Sequence, residues 1–127
     1  MIYEASFDGS AKPNPGEMKV GGLIKLKETG EIIHEYSEEI GKGTNNEAEY
    51  TSLLKLLDEV LERNIESIII YGDSALVVNQ VNLAWKAKDD RMKALRNQAR
   101  QMLSLIPEWK LEHVLRGKNQ EADSLTR

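Results

Sequence analysis

The chain has 127 residues, of which 40% are hydrophobic and 30% charged, with a net charge of −4. That composition describes an ordinary globular protein with one core, neither disordered nor built around a bilayer span. With no cysteine in the chain, disulfides and thiolate metal sites are excluded. The acidic balance argues against a global electrostatic grip on nucleic acid, while leaving room for local basic patches and for carboxylates acting through bound cations. The longest aliphatic run, Ile68-Ile69-Ile70, is far too short to span a membrane, and no leader pattern precedes Glu4 and Asp8. A cytoplasmic, monomeric protein without membrane attachment is expected.

In chain order, residues 2–8 read as a strand ending at Asp8, because Gly9-Ser10 and Pro13-Asn14-Pro15-Gly16 carry turn chemistry. Val20 to Leu26 and Ile32 to Ile40 are two more strands, with Thr29-Gly30 as the hairpin turn between them. Thr44 and Asn45 are both N-cap candidates for a helix reaching about Arg63, in which Leu53, Leu54, Leu56, Leu57, Val60 and Leu61 recur at helical spacing. Ser67 to Tyr71 reads as a buried strand ending at Gly72-Asp73, and a short helix follows from Ser74. Another helix runs from about Asp89 to Leu105, stopping before Pro107. Trp109 to Leu115 is a last strand, and Asn119 to Leu125 opens a final helix. The order β-β-β-α-β-α-α-β-α implies an α/β domain over residues 1–127, a meander followed by crossover units.

Four carboxylates stand at element ends: Asp8 and Asp73 after strands, Glu49 and Asp123 in first helical turns. Each alone has a plain structural explanation, since acids favour helix starts and Asp-Gly favours turns. Together they suit phosphodiester hydrolysis, where paired divalent ions clamp the attacking and leaving oxygens and hard cations prefer oxygen ligands.

The segments carrying these acids resemble ribonuclease H of type 1, in the compact branch that lacks a basic protrusion. The resemblance rests on Asp8-Gly9-Ser10 with Asn14-Pro15-Gly16 and Gly21-Gly22, on Thr44-Asn45-Asn46-Glu47-Ala48-Glu49, on Gly72-Asp73-Ser74, and on Asn119 to Leu125. It implies a ribonuclease H-like fold: a five-stranded mixed sheet with helices on both faces. It also implies a metal-dependent endonuclease that cuts the RNA strand of RNA–DNA hybrids with two Mg²⁺ or Mn²⁺ ions, leaving 5′-phosphate and 3′-hydroxyl ends. Asp8, Glu49, Asp73 and Asp123 would then be the catalytic metal ligands. Asp8 would bridge both ions, Glu49 and Asp73 would hold the one near the leaving oxygen, and Asp123 would support the one that activates water.

The same resemblance places Gly9, Ser10, Asn14, Thr44, Asn45, Asn46 and Ser74 against the hybrid. The asparagines would face its minor groove, and Thr44 a phosphate of the DNA strand. Capping by Thr44 and Asn45 and a turn at Asn14 are compatible readings of the same residues. Lys93, Arg96 and Arg100 form a basic stripe at helical spacing, and Arg116 stands where relatives have a loop histidine that this chain lacks; all four are candidate nucleic-acid contacts. His34 and His113 read as ordinary strand residues. The alternatives are a ribonuclease H-like module that binds nucleic acid with little or no catalysis, and a different phosphoesterase on the same fold.

Overall fold

In the computed structural model, residues 1–115 are described. β1 (Tyr3–Lys12), β2 (Gly16–Leu26) and β3 (Ile32–Gly43) form an antiparallel meander. α1 (Asn45–Glu62) crosses to β4 (Ser67–Gly72), which pairs parallel to β1. α2 (Ala75–Val81) and α3 (Asp90–Leu103) precede β5 (Glu108–His113), parallel to β4. The sheet order is β3-β2-β1-β4-β5, the five-stranded mixed sheet expected.

The core lies between this sheet and the helices. Ala5 and Phe7 of β1, Ile24 of β2 and Ile68 and Ile70 of β4 meet Leu53, Leu56, Leu57 and Val60 of α1, all of them buried. In β4 the alternation is strict: Ile68, Ile70 and Gly72 are buried, and Ser67, Ile69 and Tyr71 are half-buried on the other face. The three described helices contact one another and so make one layer. The helix expected over residues 119–125 lies outside the described residues.

Several boundaries differ from the sequence reading, each for a tertiary reason. β1 does not stop at Asp8; it runs to Lys12 because Asp8 to Lys12 pair with Gly21 to Glu17 of β2. Gly9 and Ser10 are therefore strand residues, and the turn is confined to Pro13, Asn14 and Pro15. The same long hairpin starts β2 at Gly16 and carries β3 past Ile40 to Gly43. α3 ends at Leu103, with Ser104 as its C-cap, and β5 is set by its pairing with β4, from Glu108 to His113.

Candidate metal centre and nucleic-acid groove

Asp8 sits mid-strand, one residue beyond the Phe7–Gly72 pair at which the β1–β4 ladder ends. β4 stops there, and Asp73 follows it directly. The two aspartates thus stand side by side where two parallel strands part. Glu49 comes from α1, whose first turn lies directly on Gly9. A Cβ at Gly9 would fall 2.4 Å from the Ala48 carbonyl and 2.7 Å from the Glu49 nitrogen. Only a glycine lets helix and strand approach so closely. The Gly9 N–H then donates to Glu49 Oε1 at 2.6 Å.

As a result, Asp8, Glu49 and Asp73 each offer an oxygen within 4.8 Å of the others. Asp8 is 1% and Glu49 5% exposed. Burial pushes the Glu49 carboxyl well above the usual carboxylate range, and the neighbouring Asp8 carboxyl adds to the rise through hydrogen bonding and charge. Asp73 contributes in the same direction, and the Gly9 N–H only partly offsets them. Glu49 Oε2 is buried and receives no hydrogen bond from the described residues. Buried, converging, mutually repelling oxygens are the donor set that a hard divalent cation satisfies, so the residues present fit such an ion.

Beside the acids is a groove of about 390 Å³, lined by Gly9, Ser10, Ala11, Lys12, Asn45, Asn46, Glu49, Asp73 and Ser74. Its rim is braced by amide side chains. Asn45 Oδ1 accepts from the Ala11 N–H at 2.6 Å, and Asn14 Oδ1 accepts from the Asn45 N–H at 3.0 Å. Of the two N-cap candidates, Thr44 is the cap. Its Oγ1 accepts from the Glu47 N–H at 3.1 Å and lies 3.4 Å from Glu47 Oε1. Asn45 is instead the first helical residue and a strut to β1. Ser74 caps α2, accepting from the Val77 N–H at 3.2 Å.

The basic stripe does not stay together as a free face. Arg100 is half-buried and its Nη1 donates to the Val81 carbonyl at 2.6 Å, closing the end of α2. Arg96 turns to Asn97 Oδ1 at 3.0 Å, and Lys93 is exposed. Only eight residues, 82–89, join α2 to α3, so no protrusion stands between them. His113, read as an ordinary strand residue, is the last residue of β5 and the register partner of Gly72, with Nε2 3.3 Å from the Asp73 carbonyl. Asp123 and Arg116 lie outside the described residues.

The reverse transcriptase-like family matches residues 6–127. The chain belongs to this family of ribonuclease H-like domains. Ribonuclease HI of Halobacterium salinarum is 36% identical over 121 residues, which are 95% of this chain and 60% of that protein; the chain thus spans about 60% of this curated relative. The crystal structure of RNase H1 from the same archaeon superposes with a TM-score of 0.93 at 35% identity, covering 98% of this chain and 94% of that one. LC11-RNase H1, isolated from compost and crystallised with an RNA/DNA hybrid, gives 0.88 at 29% identity, over 97% and 92% of the two chains. This ribonuclease H-like domain therefore shares with those enzymes the whole sheet on which its three described acids converge.

Proposed function

We propose that this domain is a metal-dependent endonuclease that hydrolyses the RNA strand of RNA–DNA hybrids, leaving 5′-phosphate and 3′-hydroxyl ends. The observation that carries the reading is the convergence of Asp8, Glu49 and Asp73 within 4.8 Å at the head of a groove rimmed by asparagines. Similarity to ribonucleases HI, one of them crystallised with an RNA/DNA hybrid, supports it.

Asp8, Glu49 and Asp73, with Asp123, would hold Mg²⁺ or Mn²⁺. Bound there, a pair of such ions supplies Lewis-acid stabilisation of the phosphoryl charge and lowers the pKa of the attacking water. The remaining chemistry belongs to the chain. Glu49 is kept in place by the Gly9 N–H, and its raised carboxyl pKa makes a proton the competitor of a cation there. Asn14 and Asn45 use their amide oxygens internally, so their Nδ2 groups are the ones able to donate to substrate. Donors suit a minor groove, which presents base acceptors and, on an RNA strand, 2′-hydroxyl oxygens. Thr44 contributes through the cap that fixes Asn45 and Asn46 on the groove, and Gly9 and Ser10 form its floor beside Asp8.

The test is a strand-labelled RNA–DNA hybrid incubated with Mg²⁺ or Mn²⁺, beside RNA and DNA duplexes and the variants D8N and D73N. Metal-dependent cutting of the RNA strand of the hybrid alone, abolished in both variants, is expected. A folded protein that binds the hybrid and cuts it with neither ion would instead be a binding module.

A further inference from the structure

A second polar device lies behind the acids, on the side away from the groove. Tyr36 of β3 reaches over β2 to α1. Its Oη donates to the Ser52 carbonyl at 2.8 Å and sits 2.9 Å from Ser52 Oγ, which in turn donates to the Gly21 carbonyl at 2.9 Å. Ser52 is fully buried. Gly22 makes the reach possible, because a Cβ there would meet the Tyr36 ring at 2.5–2.6 Å.

The two ends of this chain of bonds are not arbitrary. Gly21 is the cross-strand partner of Asp8, and Ser52 lies three residues after Glu49, on the same side of α1. The start of α1 is already tied to β1 through Asn45 and Glu49, its first and fifth residues. A helix tied at one turn can still roll and pivot. A second tie, one turn on, fixes that roll and with it the distance from Glu49 to Asp8.

We infer that Tyr36 and Ser52 are positioning residues for the metal centre: together with Gly21 they form a latch that holds Glu49 at ligand spacing from Asp8. The inference rests on the metal-binding reading above. A ligand pair held at spacing before the cation arrives binds it more tightly than one that must be gathered; partners hydrogen-bonded directly to metal ligands matter about 10-fold or more for affinity, and a latch one bond further back is expected to matter less. The latch has a further layer of structure behind it, since the Tyr36 ring leans on His34, with centroids 6.1 Å apart.

The experiment is a Mn²⁺ titration of the substrate-free protein, with free ion read by electron paramagnetic resonance, on the parent chain, S52A and Y36F. V60A serves as control: Val60 is a fully buried residue of the same helix that the latch does not touch. The expected result is a Kd for Mn²⁺ raised about five-fold or more in S52A and about two- to three-fold in Y36F, and unchanged in V60A even where its melting temperature falls further. Cleavage should lose kcat and keep KM for the hybrid, because the asparagine rim is untouched. Y36F keeps the ring and its packing, so it reads the latch even where S52A folds poorly. Mn²⁺ affinity equal to the parent in both latch variants, or lowered as much in V60A, overturns the latch. A parent chain that binds no Mn²⁺ overturns the metal centre and the latch together.

Discussion

Asp8→Asn should make the metal-free protein more stable, against the usual cost of changing a buried residue. At an effective dielectric of ~20, two carboxylate oxygens at 4.8 Å, the outer limit of the spacing here, repel by about 3.5 kcal/mol, and Asp8 takes part in two of the three such pairs. Proton uptake limits the strain. Keeping one carboxyl protonated at pH 7 instead of at its ordinary value near 4.5 costs about 3.4 kcal/mol, so the protein never carries more than about that amount. Asparagine has nearly the same shape and removes the charge, which leaves a gain of about 1–3 kcal/mol. For a chain of this size that is a rise in Tm of roughly 4–12 °C. The assay is thermal unfolding by circular dichroism in EDTA and again with Mg²⁺ added. The parent should gain from Mg²⁺, by about 1.4 kcal/mol at ten times Kd, and D8N should gain little. D8N melting at or below the parent in EDTA would refute the claim that these acids strain the fold. An equal response to Mg²⁺ would refute their role in holding the ion.

Three further outcomes follow from the same geometry. Glu49 has a raised folded pKa, so between about 4.5 and that value the folded state holds the extra proton. Metal-free stability should therefore fall as pH rises through this window and then level off, and E49Q should lose the slope in urea titrations across pH. Gly9→Ala should push the first turn of α1 off β1, lowering stability by about 1–3 kcal/mol in denaturant unfolding and cleavage by more than stability explains. Arg100→Ala should cost about 1.5–3 kcal/mol of stability through loss of the Val81 contact and leave the salt dependence of hybrid binding unchanged. Lys93→Ala should do the reverse if Lys93 meets a phosphate.

The sequence by itself determined the type and order of the eight described elements and singled out the three described acids. Period-two and period-three-to-four hydrophobic patterns are local properties, so the strands, α1 and the hairpin at Thr29-Gly30 were legible, as were the motifs that single out Asp8, Glu49 and Asp73. What it could not decide was everything set by pairing and approach across the fold. Gly9-Ser10 looks like a turn until β2 is laid beside it, and then it is strand. Asn45 is by composition as good a cap as Thr44, and only the nearness of Ala11 makes it a strut. Arg100 reads as part of a basic face, and the end of α2 takes it out of that face. Three acids far apart in the chain become one cluster because β1 and β4 part company just where α1 lies down on a residue without a side chain. That closeness is a property of the packed sheet and helix, and no single segment contains it.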